Sequence, residues 1–240
     1  MSILNIAAYR FVSLSDLHAL KARLLDRAEA LDLKGTVLLS PEGINSFLAG
    51  APENVETWLT DLQSDNRFAS IEVKRSFSDY VPFKRLRIKI KKEIISFRQQ
   101  GFINGDAPSV SPRELNRWLE EGREVVFIDT RNEVEYAEGS FEQALNPHIE
   151  RFTDFAEAIR QFEQFRDITV VAFCTGGIRC EKAVPFMRAQ GFNHAYQLQG
   201  GILNYFEKCG GKHWRGNCFV FDERGAVTPE LLPATSHAAQ

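Results

Sequence analysis

The chain has 240 residues, 44% of them hydrophobic and 25% charged, with a formal net charge of −3. That length holds one large domain or two ordinary ones with full cores. The near-neutral balance excludes a protein that binds nucleic acid through overall basicity, so any such partner must meet a local patch. No stretch approaches the roughly eighteen apolar residues of a membrane span, and Met1-Ser2-Ile3-Leu4-Asn5 has neither the basic region nor the apolar run of a secretory leader. Four cysteines, at 174, 180, 209 and 218, suit working thiols in a reducing compartment better than a disulfide framework. The expectation is a cytoplasmic protein.

Taken in order, residues 3–11 read as a strand and 15–31 as an amphipathic helix capped by Ser15 or Ser13. Residues 35–40 and 44–48 read as two strands about the turn Pro41-Glu42-Gly43. Residues 52–63 follow as a helix with Pro52 in its first turn, then 71–77 as a strand. This β-α-β-β-α-β order is that of a ferredoxin- or acylphosphatase-like α+β sandwich. A further strand over 85–95 extends or leaves it. The Gly-, Asn-, Pro- and Ser-rich stretch 101–111 is the linker candidate. Ser111-Pro112-Arg113-Glu114 then opens a helix with Ser as cap, Pro at the first position and Glu at the third. Beyond it strands at 125–129, 168–173 and 195–198 alternate with helices at 133–137, 152–165, 181–189 and 202–207, as in a parallel sheet covered on both faces. The organisation expected is an N-terminal domain over 1–100, a linker over 101–111, a catalytic domain over 112–213 and a C-terminal tail over 214–240, its last eight residues frayed.

The chemistry concentrates at one strand end. Val170-Val171-Ala172-Phe173 stops at Cys174, followed by Thr175-Gly176-Gly177-Ile178-Arg179 and a helix. Backbone N–H groups of such a loop converge on one point, and a helix N-terminus adds about half a positive charge there. A thiol so placed loses its proton below the usual ~8.5 and is a nucleophile. Ligands collect at the carboxyl ends of parallel strands, where Asp129-Thr130-Arg131 also lies. Asp129 is expected to hold the loop's N–H groups or Arg179, and Arg131 to add positive charge over the thiolate.

Cys-x-x-x-x-Arg after a strand, an upstream Asp-x-Arg and the turn from Gly139 to Pro147 resemble a rhodanese domain. The resemblance implies a cysteine persulfide cradled by a six-residue loop; dual-specificity phosphatases place one residue more between Cys and Arg, so sulfur chemistry is favoured over phosphate hydrolysis. With Gly35-Thr36-Val37-Leu38-Leu39-Ser40-Pro41-Glu42-Gly43-Ile44-Asn45, Lys91-Lys92-Glu93-Ile94-Ile95 and Gly216-Asn217-Cys218-Phe219-Val220-Phe221-Asp222, the likeness narrows to the tRNA uridine hydroxylase family and covers most of residues 1–222. Ser46-Phe47 departs from it, since small or β-branched residues are commoner there. Membership implies a ferredoxin-like unit followed by a rhodanese-like domain, oxygen-dependent hydroxylation of the wobble uridine to 5-hydroxyuridine, and Cys174 as the essential residue. It implies the tRNA anticodon arm as partner, neither membrane nor DNA, and molecular oxygen as co-substrate. No flavin fingerprint or iron triad is recognisable. Thiolate addition to C6 of uracil and oxygen transfer from an oxidised cysteine both remain open. So do two rival functions: a sulfurtransferase carrying a persulfide, and a non-enzymatic RNA-binding protein.

The remaining features are more evenly balanced. Arg85, Arg87, Lys89 and Lys91 alternate with Leu86, Ile88 and Ile90, with Lys84, Lys92, Lys74 and Arg75 nearby in sequence. Such a stripe either guards an edge strand or contacts phosphates; the resemblance tilts it towards tRNA. Cys180 either resolves an oxidised Cys174 or packs under the helix. Cys209, His213 and Cys218 match no paired metal-ligand spacing, so no metal is expected. His148 and His194 read as ordinary histidines. Phe152, Phe155, Phe162 and Phe165 read as core at helical spacing, with one ring available to stack on a flipped base.

Overall fold

Alternation of apolar and polar residues along Ile3–Phe11 (β1) puts Leu4, Ile6 and Ala8 on one side, and that side is buried. The computed structural model describes residues 2–99, 101 and 107–234. Residues 102–106 of the linker candidate and 235–240 of the frayed end lie outside these residues. The chain divides into two units, residues 1–95 with 221–224, and 96–220 with 225–240. Among the described residues no helix is long and apolar enough to cross a membrane.

In the first unit β1 is followed by Leu17–Ala30 (α1), Lys34–Ser40 (β2), Gly43–Gly50 (β3), Pro52–Gln63 (α2), Glu72–Ser78 (β4) and Leu86–Ile90 (β5). The sheet runs β4-β1-β3-β2-β5. Its first four strands are antiparallel, as the β-α-β-β-α-β order requires, and β5 is added parallel to β2. Leu20, Leu24 and Ala28 of α1 with Val55, Trp58, Leu59 and Leu62 of α2 close one sheet face into a core with Leu4, Ile6, Val37, Leu39, Ile44, Leu48 and Ile88. Pro52 starts α2 where its missing N–H costs nothing. The cap expected from Ser13 or Ser15 is not made. Asp16 takes the cap position of α1 without a side-chain cap bond, because its carboxylate is drawn to the Arg67 guanidinium. That hydrogen bond holds the Asp16 carboxyl below its ordinary value.

The second unit begins with Ser109–Val110 (β6), Pro112–Glu120 (α3), Val126–Asp129 (β7), Glu133–Glu138 (α4) and Gly139–Phe141 (β8). Ser111 caps α3 by accepting from the Glu114 N–H at 3.3 Å. Phe155–Ala158 (α5), Val170–Phe173 (β9), Cys180–Ala189 (α6), Ala195–Leu198 (β10) and Gly201–Cys209 (α7) follow, then Trp214–Gly216 (β11), Cys218–Phe219 (β12) and Ala226–Val227 (β13). The sheet β6-β10-β9-β7 is parallel throughout, so the expected rhodanese-like α/β domain is present. Its core is an aromatic stack: Phe127 on Phe141 at 4.6 Å, and Trp214 edge-on to Phe141 at 5.1 Å.

Two departures from the expected elements have clear causes. The single helix over 152–165 is broken into a tight turn at Phe152–Asp154, the four-residue α5 and further tight turns over Ile159–Phe165. Phe152, Phe155, Ile159 and Phe162 are all buried, and Phe162 leaves helical geometry (φ −111°, ψ 16°) where that run ends. The segment expected as a C-terminal tail instead supplies β11, which pairs with β8, and the β12–β13 hairpin, while Phe221–Arg224 belongs to the first unit. There Arg224 pairs with Asp222 at 2.6 Å and donates to Ser76 Oγ at 2.7 Å.

Candidate active site

β9 is buried along its whole length and delivers Cys174 to the carboxyl edge of the parallel sheet with the thiol 2% exposed. The chain then turns back into α6. Gly177 takes φ +97°, open to glycine at little cost, and its N–H donates to Cys174 Sγ at 3.2 Å. The far side of the loop is fixed by α7, whose Ile202 and Leu203 N–H groups donate to the Cys174 and Thr175 carbonyls at 3.0 and 3.1 Å. Those carbonyls are thereby turned away from the sulfur. A Cβ on Gly176 would meet nothing within 4 Å, so the crest of the loop is open.

Gly201 makes this docking possible. Its φ is +69°, and a Cβ there would lie 2.4 Å from the Cys174 carbonyl oxygen and 2.6 Å from the Gly177 nitrogen. Gly201→Ala is therefore expected to lower stability by about 2 kcal/mol or more and to spread the loop. Denaturant unfolding and the rate of Cys174 alkylation both report it. The paired glycines Gly200-Gly201 before a helix were the sequence signal for this contact.

Burial pushes the Cys174 thiol up, but a hydrogen bond from Cys180, the Arg179 charge and the Arg179 and Gly177 N–H groups outweigh it and bring the thiol down to about 6. Cys180 is fully buried, lies 3.7 Å from Thr130 Oγ1, and is pushed well above the ordinary thiol value by burial and by the neighbouring Cys174 sulfur. One of the two thiols thus ionises and the other serves as its donor. The rate of iodoacetamide alkylation of Cys174 is expected to rise through an inflection near pH 6. Cys180→Ala removes a donor to the thiolate and moves that inflection to higher pH; an unchanged profile contradicts the assignment.

Arg179 reaches Cys174 through its charge, and its guanidinium is held by Glu135, a residue the sequence reading did not single out. The Glu135 carboxylate takes two bonds from Arg179, at 2.8 and 3.1 Å, and a third from the Asn132 N–H at 3.1 Å, while Asn132 Oδ1 accepts from the Glu135 N–H. The carboxylate therefore closes the capping box of α4 and anchors the loop arginine at once. The Asn132-x-x-Glu135 spacing is the signal that would have found it.

Asp129 and Arg131 do not act as expected. Both are fully buried and pair with each other at 2.7–3.2 Å; Asp129 also accepts from Ser140 Oγ, and Arg131 donates to the Gly139 carbonyl at 2.6 Å. The Arg131 guanidinium lies 5.8 Å from the Phe173 ring and 5.5 Å from the Trp214 ring. Two residues apart at a strand end, they pair with one another and tie β7 to β8 through Ser140 and Gly139, and neither bonds to the cysteine loop. Cys218 lies 4.0 Å from Thr175 Oγ1, and burial pushes its thiol up to about 12. Among the described residues no three His, Cys, Asp or Glu side chains converge as metal ligands. His148 is exposed and paired with Glu133 at 3.0 Å, and His194 is exposed.

Of the basic stripe, Arg85, Lys89 and Lys91 are exposed and Arg87 is half-buried, all on or beside the edge strand β5 of the first unit. Lys74 and Arg75 do not join them: β4 is the opposite edge of the sheet, where Lys74 sits over Tyr9 and near Glu72, and Arg75 pairs with Glu56.

A parallel sheet that ends in a buried, acidified cysteine under a tight loop defines a rhodanese-type domain, and rhodanese-like domains match residues 111–208. The UPF0176 acylphosphatase-like domain matches residues 3–94. The chain belongs to the tRNA uridine(34) hydroxylase family. It is 53% identical over 241 residues to the tRNA uridine(34) hydroxylase of Bordetella petrii, spanning 97% of this chain and 96% of that protein. Identity to the Bordetella avium protein of that description is also 53%, over 97% of this chain and all of the other. For the Cupriavidus pinatubonensis protein it is 50%, over 98% of this chain and 86% of the other.

Proposed function

We propose that this protein is a tRNA-modifying enzyme that hydroxylates C5 of the wobble uridine, with Cys174 as the nucleophile and molecular oxygen as co-substrate. The observation that carries the mechanism is the Cys174 sulfur, brought down to about 6 and held by the Gly177 N–H at 3.2 Å. A thiolate at neutral pH adds to C6 of uracil, forming a C–S bond and leaving the electron pair at C5 and O4. C5 then bonds to one oxygen of O2, giving a C5 hydroperoxide; a thiol takes the outer oxygen, breaking the O–O bond to leave the C5 hydroxyl and a sulfenic acid, which a second thiol converts to disulfide and water. C5 then loses its proton and C6 expels the thiolate, restoring the double bond. The overall balance is uridine, O2 and two thiols giving 5-hydroxyuridine, water and one disulfide, so the two electrons come from a thiol reductant. Gly177 and Arg179 steady the sulfur as it leaves, and Glu135 keeps Arg179 in place. The anticodon arm in the cytoplasm is the substrate we assign, with Arg85, Arg87, Lys89 and Lys91 contacting its phosphates.

In tRNA from cells lacking the protein, mass spectrometry of nucleosides is expected to show loss of 5-hydroxyuridine derivatives and their recovery when the wild-type gene is returned. Equal amounts in all three preparations would count against the reading.

A further inference from the structure

Cys180 is a thiol that the proposed reaction leaves unoxidised, and the loop brings it against the catalytic sulfur. Gly177 ties the two cysteines together: its N–H donates to Cys174 Sγ at 3.2 Å, and its carbonyl accepts from the Cys180 N–H at 3.0 Å. Cys180 is the first residue of α6, and its thiol donates to the Cys174 sulfur and lies 3.7 Å from Thr130 Oγ1. Thr130 in turn donates to the Phe173 carbonyl at 2.9 Å. The Cys180 sulfur is thus lodged between the end of β7 and Cys174, with both thiols buried. The other two cysteines are placed differently. Cys209 closes α7, and the Cys218 sulfur has Thr175 Oγ1 and the Phe219 carbonyl as its neighbours. A disulfide needs side chains that face one another, and the hydrogen-bonded pair meets that condition.

We propose that Cys174 and Cys180 form a reversible redox pair: hydrogen peroxide oxidises Cys174 to the sulfenic acid, and Cys180 captures it as an intramolecular disulfide. The inference rests on the hydroxylase reading for Cys174 as the working thiol, and it adds an off state to that site. In the first step the Cys174 thiolate attacks one oxygen of the peroxide. An S–O bond forms, the O–O bond breaks, and hydroxide leaves. The crest of the loop, where a Cβ on Gly176 would meet nothing within 4 Å, leaves room for an oxidant of two heavy atoms. Oxidation also frees the second thiol. Burial holds the Cys180 proton first, but so do its hydrogen bond to Cys174 and the charge on that sulfur, and a sulfenic acid is neutral. Cys180 then gives up its proton and its sulfur attacks the Cys174 sulfur. The S–O bond breaks and the oxygen leaves as water. In all, two thiols and one hydrogen peroxide give one disulfide and two waters. The disulfide stops Cys174 short of the sulfinic and sulfonic acids, which thiols do not reverse.

The test takes the reduced full-length protein, treats it with a small excess of hydrogen peroxide, blocks free thiols with N-ethylmaleimide and digests it with trypsin without reductant. Cleavage after Arg166, Arg179 and Lys182 puts Cys174 in peptide 167–179 and Cys180 in peptide 180–182. Mass spectrometry is expected to show the two peptides joined, less two hydrogens, and separated by dithiothreitol. Alkylation of Cys174 is lost on oxidation and returns with the reductant. Cys180→Ala is run beside the wild type at a pH where the alkylation profile shows Cys174 ionised in both. There peroxide is expected to carry Cys174 on to the sulfinic acid, two oxygen atoms heavier, and dithiothreitol restores little of its alkylation. No joined species in the wild type, joining of Cys174 to Cys209 or Cys218 instead, or equal recovery in Cys180→Ala overturns the inference. The joined species is read on the wild type alone, so the test stands even where the variant fails to fold. If the reduced protein forms 5-hydroxyuridine and no joined species appears, the redox pair alone is refuted. If the joined species forms while the reduced protein makes no product, the pair stands and the hydroxylase reading fails.

Discussion

Cys174→Ser is expected to lower formation of 5-hydroxyuridine by about 10^4-fold or more, the scale on which enzymes lose turnover when a nucleophile is removed. The serine fits the same volume and accepts the Gly177 N–H, so the fold is kept. Its hydroxyl, however, stays protonated where the Cys174 thiol is brought down to about 6. Donors sufficient to ionise a thiol do not ionise an alcohol, whose proton is held far more tightly. The check is product per tRNA by mass spectrometry, beside a melting curve that matches wild type. Product at a tenth of the wild-type rate or more would mean that the sulfur does not form the bond to uracil.

Glu135→Ala is expected to lower stability by about 3–5 kcal/mol, because it removes the buried carboxylate that takes two hydrogen bonds from the Arg179 guanidinium. Glu135 is fully buried and Arg179 only 11% exposed in its side chain, so water does not replace the carboxylate. The substitution also opens the capping box of α4 at Asn132. In thermal unfolding this corresponds to a fall in Tm on the order of 10 °C. Glu135→Gln, which keeps the volume and two polar atoms but not the charge, falls between. A Tm within two or three degrees of wild type for Glu135→Ala, by the same conversion, would mean that Arg179 finds another anion.

Much of this was legible in the sequence where one local signal dominates. β1 and β10 have the bounds that alternation and flanking polar residues marked, α2 begins at Pro52, and α3 is capped by Ser111 through Glu114. Cys174 at a strand end, with Thr175 and two glycines after it, marked the loop, and the Gly177 N–H does point at its sulfur. What was not legible depended on which of several partners a side chain meets in three dimensions. Asp129 and Arg131 were rightly placed at a strand end, but Ser140, the Gly139 carbonyl and Trp214 converge on them through β8 and β11, and nothing local to Asp-Thr-Arg announces those strands. Phe152 to Phe165 has near-helical spacing, yet Phe162 leaves helical geometry and the segment breaks into tight turns on either side of the four-residue α5. Lys74 and Arg75, near the stripe in sequence, are separated from β5 by the sheet order, which the β-α-β-β-α-β pattern itself implies once its strands are ordered β4-β1-β3-β2.

The most direct test of the central claim incubates the purified protein with unmodified tRNA, a thiol reductant and 18O2. The expected product is 5-hydroxyuridine at the wobble position carrying one 18O, absent with Cys174→Ser. No labelled product, together with Cys174-dependent thiocyanate formation from thiosulfate and cyanide, would contradict it and assign the thiol to sulfur transfer.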